Sequence, residues 1–116
     1  MYGVDELTSI LSNVYRRTSR GSVVWEVDAT HMNDDELSVT SQYSDEIRTR
    51  ITTNKNTQDM RIEFRSRSFQ AVFYYHMLPT DAKANFMATW DFITATQFNA
   101  IYETALGNLT SVFQEE

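Results

Sequence analysis

The sequence predicts an α+β fold: an N-terminal helix, a four-stranded antiparallel β-meander, and two to three C-terminal helices packed on the apolar face of the sheet. Three observations carry this expectation. Apolar residues recur at three- and four-residue spacing through the first helix, the period then switches to two as far as Arg65, and aromatic residues crowd the remainder while charge thins out.

Residues 4–20 read as the helix because Val4, Leu7, Ile10, Leu11, Val14 and Tyr15 fall on one stripe. Asp5 and Glu6 open it and Arg16, Arg17 and Arg20 close it, which complements the helix dipole, and Gly21 supplies a stop. From Ser22 onward Val23, Trp25, Val27 and Ala29 alternate with Val24, Glu26, Asp28 and Thr30, followed by Leu37, Val39, Ser41 and Tyr43. Two more strands follow, in which Ile47, Thr49 and Ile51 alternate with Arg48 and Arg50, and Met60, Ile62 and Phe64 alternate with Arg61, Glu63 and Arg65. The breaks at 31–35, 44–45 and 54–56 are rich in turn residues. Trp25, Val39, Ile51, Ile62 and Phe64 are expected to face the helices.

Ser68 to Leu78 satisfies two patterns at once. Val72, Phe73, Tyr74 and Tyr75 favour a strand, yet the segment is apolar on every side. A fifth strand would need a tight turn at Arg65-Ser66-Arg67-Ser68, which lacks Gly, Asn, Asp and Pro, whereas Ser68 is a good helix N-cap, so the expectation leans to helix. Pro79 ends that element, and Thr80-Asp81 caps a helix with Ala82, Phe86, Trp90 and Ile93 on one stripe. Thr94-Ala95-Thr96-Gln97 matches a capping box for a last helix over about 95–106, or for a continuation of the one before it.

The composition narrows the function. The 116 residues suit one domain spanning 1–116, and no run reaches the length of a membrane span. The start has no basic region followed by an apolar stretch, so a secretory leader is not expected. Zero cysteines exclude disulfides and thiolate chemistry and fit a cytoplasmic protein. The net charge of −6 disfavours generic nucleic-acid or anionic-membrane binding. With three glycines the chain cannot build a glycine-rich phosphate loop, and no hydrolase elbow or Walker sequence is present.

Charge is nonetheless polarised along the chain. Between Ser22 and Glu46 stand seven acids and no base, and between Ile47 and Arg67 six bases stand against Asp59 and Glu63. Strand parity sets Arg48, Arg50, Arg61, Arg65 and Arg67 on one face. The plain reading is pairing with neighbouring acids and solubility. The functional reading is a partner-, anion- or nucleic-acid-binding surface, since arginine grips phosphate and carboxylate with two parallel hydrogen bonds. A third reading packs two sheets about a twofold axis, acidic half over basic half.

Asp28, His31, Asp34, Asp35 and Glu36 crowd one hairpin end with oxygen and imidazole groups, but no known metal-site spacing matches, so a solvated turn is the better reading there. His76 is read as a hydrogen-bonded core histidine rather than a general base. Between Phe69 and Phe113 ten aromatics stand against Asp81, Lys83, Asp91 and Glu103, a stretch that something must cover. Phe86, Trp90 and Ile93 are therefore expected at an oligomer interface.

The expected function is a non-enzymatic protein-binding or assembly module: a homodimer that docks to or occludes a partner protein, as a small inhibitor or chaperone-like adaptor would. No catalytic residue, metal or cofactor is expected. The alternatives are nucleic-acid or anionic-ligand binding through the arginines, and a small metal-assisted enzyme at the acidic hairpin.

Overall fold

The computed structural model describes residues 4–27, 36–54 and 56–98. The class is α+β, with an N-terminal helix, an antiparallel sheet and a C-terminal helix. Helix α1 spans Val4–Ser19. The sheet comprises β1 (Glu26–Val27), β2 (Glu36–Gln42), β3 (Arg48–Asn54), β4 (Met60–Arg65) and β5 (Gln70–Tyr74), paired antiparallel in chain order. A 3-10 turn over Tyr75–Met77 leads into α2 (Thr80–Phe92), and the helix continues without a break as a π-helical turn over Ile93–Phe98.

Leu11, Val14 and Thr18 form the buried stripe of α1, while Ile10 points outward at 44% exposure. Gly21 ends the helix at φ +79, a conformation that costs glycine nothing because it has no Cβ. There the Gly21 N–H donates to the Thr18 carbonyl at 3.1 Å and the Ser22 N–H to the Arg17 carbonyl at 2.9 Å, so these two carbonyls of the last turn are satisfied. Four residues on, Trp25 is 1% exposed and its indole N–H donates to Thr18 Oγ1 at 3.0 Å. That bond fixes the start of the sheet to the end of the helix.

The ladders place Val27, Val39, Ile51, Ile62 and Phe73 side by side on the helix-facing surface, with Ser41, Thr49, Phe64 and Ala71 in the next row. Leu11 and Val14 from α1 and Ala82, Phe86 and Ile93 from the C-terminal helix close the core above them. All five residues expected to face the helices are buried there. Phe64 meets Phe73 edge-on at 6.2 Å, and Phe86 meets Tyr75 at 5.6 Å.

The sheet has five strands where four were expected, because 70–74 is a strand and not a helix. The turn before it forms without Gly, Asn, Asp or Pro. Ser66 Oγ accepts the N–H groups of Ser68 at 3.1 Å and Phe69 at 3.2 Å, while the Ser66 N–H donates to the Phe69 carbonyl at 2.9 Å. A serine hydroxyl thus stands in for the backbone partner that a tighter turn residue would provide. The expected cap of α2 also moves by one position: Pro79 is the N-cap, without a side-chain bond, and Thr80 and Asp81 lie in the first turn.

The Thr94–Gln97 pattern does not start a new helix. Thr94 Oγ1 donates to the Asp91 carbonyl at 3.1 Å and Thr96 Oγ1 to the Phe92 carbonyl at 2.6 Å, back-bonds that belong to a helix already under way. The remainder of the expected last helix, 99–106, lies outside the described residues, as do the end of the first expected strand, 28–30, and the turn expected at 31–35.

Candidate functional site

The sheet face turned away from the helices carries the charge. Its rows, read across the strands, are Ser38, Thr52, Arg61 and Tyr74; Glu26, Thr40, Arg50, Glu63 and Val72; and Gln42, Arg48, Arg65 and Gln70. Four of the five expected arginines therefore share this face. Arg67 does not belong to a strand, because β4 ends at Arg65; it sits exposed in the β4–β5 turn.

The four differ in their surroundings. Arg61 Nε donates to Glu63 at 3.1 Å and its Nη1 to Glu36 at 3.3 Å, while Arg50 Nη1 lies 3.6 Å from the other oxygen of Glu63. Burial opposes the charge on Arg61, yet the hydrogen bond and attraction of Glu63, joined by those of Glu36, outweigh it and hold the guanidinium above its ordinary value. These long side chains roof over short ones: Ser38 and Thr52 are 1% and 2% exposed and share a 2.9 Å hydrogen bond. Half of the arginine cluster thus follows the plain reading of cross-strand pairing.

Glu63→Gln tests that half. The side chains in these pairs are 13–35% exposed, so the variant is expected to lose about 1 kcal/mol, a loss that shrinks as salt rises. Urea midpoints in low and high salt measure it; a salt-independent loss of several kcal/mol would contradict the pairing account.

Arg48 and Arg65 face each other directly across the β3–β4 ladder. Among the described residues no ion pair reaches either. A pocket of about 40 Å³ opens beside them, lined also by Thr40, Thr49, Arg50 and Glu63. A second, of about 110 Å³, lies at the other end of the face between Glu36, Arg61 and Tyr74. On the helix layer a wider groove of about 520 Å³ runs between α1 and α2, lined by small polar residues with Asp5, Arg16 and Asp81.

The apolar residues sort differently from expectation. Phe86 and Ile93 are each 1% exposed within this one chain, so neither is available at an oligomer interface; Trp90 is half-buried against the same core. Tyr75 of the 3-10 turn, 5.6 Å from Phe86, and the core shared with Leu11 and Val14 of α1 account for the change. Exposed large apolar residues gather along β5 and its flanks, Phe69 at 50%, Val72 at 38%, Tyr74 at 45% and Met77 at 73%, with Ile10 and Val24 standing apart from them. His76 is exposed in the 3-10 turn, its ring 6.0 Å from that of Tyr74, and is not a core residue.

Of the acidic hairpin, Asp28, His31, Asp34 and Asp35 lie outside the described residues, and Glu36 pairs with Arg61. Among the described residues no three acids or histidines are grouped as metal ligands, and no helix is long and apolar enough to cross a membrane. Sequence reading missed Gln42, Gln70 and the exposed set on β5, and only the parity of β5 against β4 could have revealed the last two. No protein-family model, no curated protein and no solved structure matches this chain.

Proposed function

We propose that the chain is a non-enzymatic protein-assembly module that works as a homodimer, its two sheets joined edge to edge through β5. The observation that carries this reading is the outer edge of that strand. Among the described residues Gln70–Tyr74 pairs with β4 alone, contains no charged residue, and leaves Val72 and Tyr74 exposed. Exposed strand edges are templates for pairing, and proteins blunt them with charge, proline or shortness. Edge strand β1, two residues with an exposed Glu26, follows that rule among the described residues. β5 does not.

A second copy is the fitting occupant because β5 is self-complementary about a twofold axis at Val72. Antiparallel pairing there sets Val72 beside its own symmetry mate, Ala71 opposite Phe73 and Gln70 opposite Tyr74, so no like charges meet. The exposed Phe69 of one chain and Met77 of the other fall at the same end of the joined ladder. With the axis normal to the sheet, the helices of both copies share one side, and the polar faces merge into one surface with which the dimer docks to or occludes a partner protein.

Light scattering after size exclusion at about tens of micromolar is expected to give twice the chain mass. The variant carrying Val72→Lys and Tyr74→Lys is expected to run as a folded monomer, because both side chains already face solvent and only the joined edge suffers. A parent protein of single-chain mass would end this reading, and so would a double variant that remains dimeric.

A further inference from the structure

We infer that Arg48 and Arg65 form a receptor for a single phosphoryl group, of the kind carried by a phosphate monoester, at one end of the polar sheet face. Like charges directly opposite on adjacent strands repel and are ordinarily avoided, yet here two guanidiniums occupy one cross-strand pair. The acids that offset the other two arginines are engaged: Glu63 with Arg50 and Arg61, and Glu36 with Arg61. The rest of the row is neutral. Gln42 turns its amide N–H to the Ser44 carbonyl at 2.6 Å, and Gln70 follows on the far side. Among the described residues no acid answers this pair, which leaves its charge open to an anion.

The chemistry of that anion follows from the donors. Two arginines lining one pocket can offer it parallel N–H pairs and two positive charges. A monoester phosphate returns close to two negative charges and three acceptor oxygens, whereas a lone carboxylate matches one fork and leaves the second unanswered. The adjoining pocket of about 40 Å³ holds a few water-sized groups, room for a compact head and not for a nucleobase. A nucleic-acid strand would need a longer positive track, but Arg50 and Arg61 are tied to acids and the chain carries a net −6.

The test uses the full chain at constant ionic strength, with the side-chain Nε–H signals of Arg48 and Arg65 followed by NMR. Inorganic phosphate and phosphoserine are the probes; chloride, succinate and a short single-stranded oligonucleotide are the comparisons. Phosphate and phosphoserine are expected to shift both signals saturably, to move that of Arg50 less because it lines the same pocket but is tied to Glu63, and to leave that of Arg61 nearly still. Arg48→Gln and Arg65→Gln are each expected to weaken binding about tenfold or more. Both variants should melt at or above the parent temperature, because a repulsion has been removed.

Equal shifts in chloride, or equal affinity for succinate, would show that the pair senses charge alone and would overturn the assignment. Undiminished phosphate binding in the two variants would do the same. Tighter binding of the oligonucleotide than of phosphoserine, with a steep dependence of log affinity on log salt, would replace the phosphoryl receptor with a nucleic-acid face.

Discussion

Trp25→Ala is expected to lower the stability of the fold by about 3 to 5 kcal/mol, as truncation of a fully buried large aromatic does. The indole is 1% exposed and sits in the core with Val23 and Val39. It also donates to Thr18 Oγ1 at 3.0 Å, so the truncation breaks the link between the end of α1 and the start of the sheet as well as leaving a cavity. Trp25→Phe separates the two effects: it retains most of the apolar volume and loses the N–H donor, for an expected cost of about 1 to 3 kcal/mol. Denaturant midpoints at constant slope measure both variants. A Trp90→Phe background makes Trp25 the sole emitter; native emission at the wavelength of solvated indole would contradict its placement.

Phe86→Ala is expected to cost a similar amount, about 3 to 5 kcal/mol, and to do so inside one chain. The ring is 1% exposed, with Tyr75 at 5.6 Å and Leu78, Ala82 and Ile93 in the same core. The decisive measurement is made in the background of Val72→Lys and Tyr74→Lys, where β5 no longer offers an edge for pairing. If Phe86 is core, the loss persists undiminished in that background and does not vary with protein concentration. A loss that disappears there would return Phe86 to an interface between copies.

The contrast between Phe86 and Val72 shows where sequence reading reached and where it stopped. Phe86 and Ile93 lie on a legible helical stripe, and that they would be covered could be read directly; what would cover them could not. The answer depended on which distant elements pack beside them, α1 and Tyr75 at the end of Gln70–Tyr74 among them. That segment alternates in burial as a strand should, with Ala71 and Phe73 turned toward the core and Gln70, Val72 and Tyr74 exposed. The outward set includes Val72 and Tyr74, so polarity fails to alternate even though burial does. A period-two signal requires polar residues on the wet face, and an apolar edge strand erases it. The turn at Ser66 was hidden for a related reason, since a serine hydroxyl in a turn leaves no mark that distinguishes it from a serine in a loop.

The arginine face shows the same division. Parity alone set Arg48, Arg50, Arg61 and Arg65 on one side of the sheet, because side chains alternate along any strand. Parity did not say that Arg50 and Arg61 would share Glu63, nor that Arg48 would stand opposite Arg65 with Gln42 and Gln70 as the neighbours in the row. Those facts depend on register, and a shift of two residues would have preserved every face while pairing different charges.

By itself the sequence determined the first helix and its glycine stop, the α+β class, the helix-facing set from Trp25 to Phe64 and the side of the sheet that carries charge. Each follows from spacing along the chain, which a helix or strand converts into a face by its own geometry. Tertiary structure alone decided the fifth strand, the burial of Phe86 and Ile93, the exposed edge at Val72 and Tyr74, and the facing arginines. All of these depend on which element lies beside which, and adjacency between distant segments is selected by the packing of the whole core, not by any local period.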